Sequence, residues 1–179
     1  MKFTPLKISG LALIEPKVFG DERGFFYESY REDVFKANGI DVRFVQDNHS
    51  KSSRGVLRGL HFQTDPMAQG KLVRVMNGSV YDVAVDIRPG SKTYGQHEAI
   101  VLSGENKQML YIPPGFAHGF CVLEDNTEFL YKTTHFYSPA HEKGIFWNDP
   151  DLGIDWPKLE MDYTLSAKDK VYPRLKDLT

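Results

Sequence analysis

The chain has 179 residues, of which 41% are hydrophobic and 26% are charged, and its formal net charge at pH 7 is −2. This length suits a single domain over residues 1–179, and the composition excludes a disordered or collagen-like chain. The near-neutral charge gives no general attraction to nucleic acid or to anionic lipid, so we expect neither as a partner.

Short apolar or alternating segments recur along the chain between Gly, Pro, Asn and Asp residues, a spacing typical of an all-β sandwich or barrel. In chain order, strands are predicted at residues 11–15, 25–30, 42–48, 56–62, 72–76, 81–87, 96–102, 109–112, 119–123 and 128–136. Ten strands suit a double-sheet jelly roll. The predicted fold class is therefore all-β, with a jelly-roll barrel or sandwich and a few short peripheral helices.

Four local patterns refine this prediction. A short helix is predicted at residues 31–37, because Asn38-Gly39 supplies the left-handed residue at which helices commonly end. The strand at residues 81–87 has apolar odd positions and two aspartates at even ones, so we expect it to be half-buried. Asn77-Gly78 is a strong hairpin signal and predicts that this strand pairs with residues 72–76. After residue 139 we expect loops and short turns that cover the barrel.

The cysteine content and the N-terminus bear on the compartment. Cys121 is the only cysteine, so it cannot form an intrachain disulfide, and its apolar neighbours predict a small buried side chain. The longest apolar run near the N-terminus, residues 11–14, is too short for a signal peptide or a membrane span. We therefore expect a cytoplasmic protein that does not enter a membrane.

The segment at residues 54–63 places polar groups inside a strand that is otherwise rich in large apolar residues. In a regular strand Arg58 and His61 would point to opposite faces, so if both serve one pocket, Gly59 must mark a bulge or a bend. From this segment alone, a buried and hydrogen-bonded structural role is the more common one for His61.

A second segment, residues 113–118, is similar to the Pro-x-Gly-x-x-His element of cupin barrels, in which a tight turn leads a histidine into the barrel mouth. Metal-binding cupins add a His-x-His pair and a glutamate, whereas here the stretch reads His61-Phe62-Gln63 and continues to Lys71. A lysine ammonium repels a divalent cation, and one or two histidines fall short of the usual three ligands. We expect no catalytic metal. No glycine-rich dinucleotide or P-loop motif is present either, so no cofactor is predicted.

Seven motifs follow one another from about residue 10 to about residue 170 without a large insertion. They are Glu-Pro-Lys-Val-Phe-Gly-Asp-Glu-Arg-Gly-Phe-Phe from residue 15, Gln46-Asp47-Asn48-His49-Ser50, Arg58-Gly59-Leu60-His61, Gly70-Lys71-Leu72-Val73-Arg74, Pro114-Gly115-Phe116-Ala117-His118-Gly119-Phe120, Tyr131-Lys132-Thr133-Thr134 and Leu165-Ser166-Ala167-Lys168-Asp169. This combination closely resembles the dTDP-4-dehydrorhamnose 3,5-epimerase family, whose members have a cupin-type jelly roll.

The resemblance implies a reaction in dTDP-L-rhamnose biosynthesis. Protons are removed and returned at the two carbons beside the keto group of dTDP-4-dehydro-6-deoxy-D-glucose, through an enolate, to give dTDP-4-dehydro-L-rhamnose. Such chemistry needs a base, an acid on the opposite face and a cation near the enolate oxygen. By resemblance His61 is the base, and Asp169 orients it. Tyr131 is then the acid and Lys71 the cation, with Asp82 as the expected charge partner of Lys71.

The resemblance also implies which residues bind the nucleotide and the sugar. They are Arg23, Phe26, Glu28, Gln46, Asn48, Arg58, Gln63, Lys71, His118, Tyr137, Glu142 and Lys168. Arginine forks suit diphosphate oxygens, and Tyr137 offers an aromatic face to thymine. In this family Arg23 and Glu28 lie on an N-terminal strand that reaches the neighbouring subunit, which implies a homodimer with strand exchange.

The residues alone leave three other functions possible. An epimerase that inverts one carbon, or acts on another dTDP-4-keto sugar, would use a similar histidine and tyrosine. A metal-dependent cupin oxygenase would fit the barrel and His118 but requires further ligands. A non-catalytic sugar-binding barrel would leave the buried lysine, histidine and tyrosine without a chemical role.

Overall fold

The computed structural model describes residues 1–178 and contains mainly β-strands. The strands are β1 (Lys2–Pro5), β2 (Ala12–Glu15), β3 (Phe19–Asp21), β4 (Gly24–Phe26), β5 (Gln46–Ser52), β6 (Leu57–Gln63), β7 (Lys71–Asn77), β8 (Ser79–Asp86), β9 (His97–Ser103), β10 (Met109–Ile112), β11 (Phe116–Val122), β12 (Thr127–Thr133) and β13 (Glu142–Gly144). A helix, α1 (Glu32–Ala37), follows β4, and a 3-10 turn lies at Leu175–Asp177.

Two antiparallel sheets form the body of the fold. One has the order β1-β2-β10-β7-β12-β5 and the other the order β13-β6-β11-β8-β9, whereas β3 and β4 pair only with each other. The two sheets enclose an apolar core that includes Val73 and Val75 of β7, Val80 and Ala84 of β8, and Phe129 of β12. The predicted all-β jelly roll is confirmed.

Each sheet is also covered on its outer face. Phe35 of α1 packs against Ile14 and Met109 over the six-stranded sheet. The five-stranded sheet is covered by residues 145–178, whose Trp156 and Leu175 belong to one apolar cluster with side chains of β6, β8 and β11. The C-terminal segment therefore covers the barrel as predicted, although the prediction missed β13.

The predicted pairing of the strands on either side of Asn77-Gly78 is wrong. Strand β7 pairs with β10 and β12, and β8 pairs with β9 and β11 in the other sheet. Gly78 has a φ of +76°, and a Cβ at this position would lie 2.2 Å from Oγ1 of Thr127. A tight hairpin uses two connecting residues, whereas here a single glycine bends the chain so sharply that it passes into the second sheet.

Strand β8 is buried on both faces, so the prediction of a half-buried strand is also wrong. Val83 and Val85 face the C-terminal segment, whereas Val80 and Ala84 face the core between the sheets. Asp82 shares the inner face and is fully buried. Alternation shows which residues share a face, but it does not show what covers that face.

The remaining boundaries agree with the predictions to within a few residues, with three exceptions. Helix α1 ends before Gly39, which has a φ of +86°, as expected. Strand β5 begins later than predicted, because Val42 and Phe44 pack beside α1 instead of joining the sheet. Strand β4 ends at Phe26, and β1 and β3 were not predicted.

Candidate active site

A cleft of about 720 Å³ opens among β5, β7 and β12 of one sheet, β6 and β11 of the other, and the segment at residues 164–169. Polar and charged side chains line much of it. Those predicted from the sequence are Gln46, Asn48, Arg58, His61, Lys71, His118, Tyr131, Tyr137, Glu142, Lys168 and Asp169. Residues from distant parts of the chain thus share one concave surface.

A bulge in β6 directs two of these side chains into the cleft. His61 pairs with His118 and Arg58 with Phe120, so β6 has one more residue than β11 between the two pairs. Gly59 has a φ of +125°, and a Cβ there would lie 2.5 Å from the Cα of Gly119. Only glycine meets both demands. The predicted bulge at Gly59 is confirmed.

His61 forms a hydrogen-bonded pair with Asp169. Its Nε2 donates to Oδ1 of Asp169 at 2.5 Å, which leaves Nδ1 free to accept a proton. The other oxygen of Asp169 accepts a hydrogen bond from Oγ of Ser166 at 2.7 Å. Burial alone would raise the pKa of Asp169, but the hydrogen bonds from His61 and Ser166 hold it below its ordinary value. Asp169 is therefore ionised at neutral pH and fixes the tautomer of His61.

Lys71 brings a buried amine to the same cleft. It is 8% exposed on the face of β7 that also carries Val73 and Val75, and its Nζ lies 3.5 Å from the carbonyl oxygen of His61. Burial lowers the pKa of Lys71 to about 8, against the opposing effect of the carboxylates of Asp82 and Glu142. At pH 7 the side chain is still mostly an ammonium.

Asp82 contacts His118 more directly than it contacts Lys71. Nε2 of His118 lies 3.0 and 2.9 Å from the two carboxylate oxygens of Asp82. Burial lowers the pKa of His118, although Asp82 favours the protonated ring, and the charge of Lys71 lowers it further. The influence of Asp82 on Lys71 is electrostatic, without a direct ion pair.

Tyr131 lies on β12, between Asn48 of β5 and Val73 of β7. Burial raises the pKa of Tyr131, so its phenol keeps the proton at neutral pH. Phe129 lies on the same face, and its ring stacks on that of Phe120 with centroids 4.2 Å apart. Both phenylalanines line the cleft and give it an apolar wall that the motifs did not indicate.

At the outer end of the cleft, Glu142 is hydrogen-bonded to both Tyr137 and Lys168. Its carboxylate accepts hydrogen bonds from the Tyr137 hydroxyl at 3.1 Å and from Nζ of Lys168 at 2.7 Å. Burial alone would raise the pKa of Glu142, but Lys168 and Tyr137 hold it below its ordinary value. Tyr137 is 52% exposed, so its side chain is accessible to a ligand.

Residues 5–177 match the family model described as dTDP-4-dehydrorhamnose 3,5-epimerase. The chain belongs to this epimerase family. A relative from Pseudomonas aeruginosa, named dTDP-4-dehydrorhamnose 3,5-epimerase, is 59% identical over 171 residues, which cover 95% of this chain and 93% of the relative. A relative of the same name from Escherichia coli is 54% identical over 165 residues, covering 92% of this chain and 89% of that one. The resemblance seen in the motifs is confirmed.

Solved structures of the epimerase family share the fold. RmlC from Legionella pneumophila, in complex with dTDP-4-keto-L-rhamnose, has a TM-score of 0.96 and 51% identity, covering 99% of this chain and 94% of its own. ChmJ, a 3'-monoepimerase from Streptomyces bikiniensis in complex with dTDP-quinovose, has a TM-score of 0.91 and 36% identity, covering 96% and 87%. The cupin-type jelly roll of this chain is therefore that of the epimerase family.

Gln63 lies behind the cleft instead of lining it. Its amide nitrogen donates to the carbonyl oxygens of Met67 and Phe136 at 2.7 and 3.1 Å, and its oxygen accepts from the backbone N–H of Ser138 at 2.8 Å. The side chain is fully used in holding the loop that carries Tyr137. The resemblance implied that Gln63 contacts the substrate directly. Its position here supports a role in holding this loop, and direct contact stays a prediction.

Three other predicted binding residues lie outside the cleft of this single chain. Arg23 forms an ion pair with Asp21, and Glu28 lies 3.6 Å from Arg31. Phe26 is 66% exposed on β4. We call the β3–β4 pair with its connecting residues, Phe19–Phe26, the N-terminal arm.

Two negative findings apply to residues 1–178. No group of three or more His, Cys, Asp or Glu side chains is arranged to hold a metal ion. No helix in the same range combines the length and apolar character needed to cross a bilayer. The absence of a catalytic metal stays a prediction.

Proposed function

We propose that this chain catalyses the conversion of dTDP-4-dehydro-6-deoxy-D-glucose to dTDP-4-dehydro-L-rhamnose, a step of dTDP-L-rhamnose biosynthesis. One observation carries the proposal. A histidine with a buried carboxylate partner, a buried ammonium and a protonated phenol line a single cleft, in a chain that is 59% identical to a relative of that name.

The base in this mechanism is His61. Its Nδ1 takes the proton from the carbon beside the keto group, while Asp169 stabilises the imidazolium that forms. The electrons move into an enolate, whose oxygen is stabilised by the ammonium of Lys71, a side chain that is itself buried. The scheme uses only side chains of the protein, and we propose neither a metal ion nor a cofactor.

The acid is Tyr131, on the strand that faces β6 across the cleft. Its phenol gives a proton to the opposite face of the enolate carbon, and the centre is thereby inverted. His61 then releases its proton to solvent and Tyr131 takes one from solvent, and with both groups restored the same steps act on the second carbon beside the keto group. Asp82 acts indirectly, because its charge helps Lys71 to stay protonated and its hydrogen bonds fix the ring of His118 against the sugar.

The nucleotide occupies the outer end of the cleft in this proposal. Arg58 and Lys168 bind the diphosphate, and the exposed ring of Tyr137 stacks on thymine. Gln46 supports this arrangement, because its side-chain oxygen accepts a hydrogen bond from the backbone N–H of Tyr137 at 2.9 Å. Asn48 and Glu142 provide further polar contacts.

We further propose a homodimer in which the N-terminal arm enters the cleft of the neighbouring subunit. Exposed Phe19, Phe25 and Phe26 support this, since such an aromatic surface favours burial against another chain. Arg23 of the arm and Glu28, two residues after it, would then contact the neighbour's substrate. Sedimentation of Phe26→Asp tests the idea: the variant should be monomeric, whereas Phe136→Asp, at a phenylalanine that is 61% exposed outside the arm, should stay dimeric.

Residues 1–179 act in this proposal as one domain in the cytoplasm. The single cysteine is buried and has no partner for a disulfide, and such a chain suits a reducing compartment. Fractionation of cells that produce the protein would test the assignment, with recovery in the membrane or secreted fraction as the contrary result.

An epimerase that inverts a single carbon is the second candidate, because ChmJ, named a 3'-monoepimerase, matches this fold with a TM-score of 0.91. NMR of the product formed from dTDP-4-dehydro-6-deoxy-D-glucose distinguishes the two. The proposed function requires inversion at both carbons beside the keto group, and the same analysis of His61→Ala should yield no product. Inversion at one carbon would favour the second candidate.

A further inference from the structure

A glycine and a tyrosine together occupy the position beside the catalytic histidine. Gly144 of β13 pairs directly with His61 of β6 and offers no side chain. The ring of Tyr172 fills that space, because a Cβ at Gly144 would lie 2.4, 2.5 and 2.6 Å from three of its carbons. The absence of a side chain at Gly144 is what admits the aromatic ring.

The same tyrosine ring contacts the imidazole. The ring centroids of Tyr172 and His61 lie 5.7 Å apart at an interplanar angle of 69°, an edge-to-face arrangement. Tyr172 follows Asp169 by three residues on the C-terminal segment, so the carboxylate and the aromatic ring reach His61 from one stretch of chain. His61 thus has a polar contact and an apolar contact from the same segment.

This stretch of chain is anchored to the barrel on both sides of the two residues. Upstream, the backbone N–H of Leu57 donates to the carbonyl of Thr164 at 3.0 Å, and downstream that of Phe146 donates to the carbonyl of Pro173 at 2.8 Å. The position of the Tyr172 ring is therefore set by backbone contacts to β6 and to the segment after β13, and it does not depend on a bound ligand.

A single hydrogen bond leaves the imidazole partly free to rotate. The side-chain torsion that turns a histidine ring has broad minima, so a contact at Nε2 alone defines the ring plane poorly. The Tyr172 ring, packed edge-to-face against the imidazole, removes that freedom. Proton transfer is sensitive to such placement, since an error of about 1 Å can lower a rate by about 100-fold.

We propose that Tyr172, seated on Gly144, is a positioning residue that holds the His61 ring in the plane from which Nδ1 reaches the substrate carbon. The inference rests on the proposed function, because it assumes that His61 is the base. The aromatic ring of Tyr172 performs this role. Its hydroxyl lies near the charges of Lys168 and Glu142 and is not required for it.

Three substitutions test the role of the ring. Tyr172→Phe keeps the ring, and its kcat and KM should stay within about twofold of the parent enzyme. Tyr172→Ala should lower kcat by about 10-fold to 100-fold while KM changes by less than about twofold, because binding groups stay in place. If the alanine variant does not fold, Tyr172→Leu replaces it, because it keeps an apolar side chain over Gly144 but lacks the ring. Its kcat should fall in the same way.

Gly144→Ala provides an independent test through a double-mutant cycle. In the parent protein the new methyl group would displace the Tyr172 ring and lower kcat in the same way. In the Tyr172→Ala background the space is empty, so Gly144→Ala should have little further effect. Strong non-additivity of this kind would locate the function in the contact between the two residues.

Nitrogen-15 NMR of the His61 imidazole, recorded without substrate, separates this inference from the proposed function. Asp169 sets the tautomer, so both proteins should carry the proton on Nε2, whereas line broadening from rotation of the ring should appear only in Tyr172→Ala. An unchanged spectrum with parental kcat, or a loss confined to KM, would overturn the positioning role. Failure of the parent protein to epimerise the sugar would instead overturn the proposed function, while the spectrum would still report on Tyr172.

Discussion

Nε2 of His61 lies 2.5 Å from Oδ1 of Asp169, although 108 residues separate the two side chains along the chain. Because Oδ1 of Asp169 accepts a hydrogen bond, the proton of the neutral imidazole stays on Nε2, and Nδ1 is the nitrogen that can act as the base. Asp169→Asn should therefore lower kcat by about 100-fold to 10,000-fold, through loss of the correct tautomer and of imidazolium stabilisation, and change KM little.

Steady-state kinetics with the purified variant would check this expectation. Asp151→Asn is a suitable control, because Asp151 is an exposed carboxylate whose ion-pair partner is Lys176. The control should keep the parental kcat. Equal activity of the Asp169→Asn and parent enzymes would remove Asp169 from the mechanism.

Lys71 gives the stability of the protein a definite dependence on pH. Burial lowers its pKa from 10.5 to about 8, so the unfolded chain holds more protons than the folded one between these two values. Because the unfolded state binds the extra proton, this residue makes the free energy of unfolding rise as pH increases through that window. At pH 7, Lys71→Met should be more stable than the parent by about 3 kcal/mol, and kcat should fall by about 100-fold or more.

Thermal unfolding of both proteins from pH 7 to pH 11 provides the measurement. The advantage of the methionine variant should shrink as pH rises and vanish above about pH 10.5, where lysine is neutral in both states. Lys36→Met replaces an exposed lysine of α1 and should produce no such trend. A constant difference at every pH would contradict the account of Lys71.

The bulge at Gly59 should tolerate no side chain. Gly59→Ala combines a φ of +125° with a Cβ 2.5 Å from the Cα of Gly119, and we expect a loss of about 3 kcal/mol or more in the free energy of unfolding. Gly39→Ala is the control, because Gly39 has a φ of +86° with open space around it. Urea denaturation of both variants would compare them, and equal losses would show that the close approach of β6 to β11 has no energetic consequence.

Gln63 should affect binding more than catalysis. Gln63→Leu removes three hydrogen bonds to the loop that carries Tyr137, so we expect KM to rise by about tenfold and kcat to stay within about threefold. The half-buried N–H of Ser138 also loses its acceptor, which should cost about 1 kcal/mol of stability. Isothermal titration with dTDP and thermal unfolding check both effects. A lower kcat at unchanged KM would assign Gln63 to the chemical step.

Patterns of local sequence predicted much of the fold and of the cleft. Alternation and turn residues placed most of the strands, and the conflict between Arg58 and His61 in one strand led directly to the bulge at Gly59. The family motifs brought His61 and Asp169 together, a contact that no spacing along the chain could have indicated.

What sequence reasoning missed depends on contacts between distant segments. The second buried face of β8 and the change of sheet at Gly78 follow from what covers each strand, which periodicity does not encode. Ser166 belongs to the same short motif as Asp169, and the Ser-x-x-Asp spacing could have suggested the hydrogen bond between them. Tyr172 gave no such signal, because its importance comes only from its position over Gly144.

In the proposed reaction, His61 and Tyr131 exchange protons at both carbons beside the keto group. NMR of the purified protein with dTDP-4-dehydro-6-deoxy-D-glucose in heavy water measures this directly. We predict deuterium at both carbons with the parent protein, none with His61→Ala, and exchange without complete inversion with Tyr131→Phe. Absence of deuterium at either carbon with the parent protein, or full exchange by His61→Ala, would contradict the account.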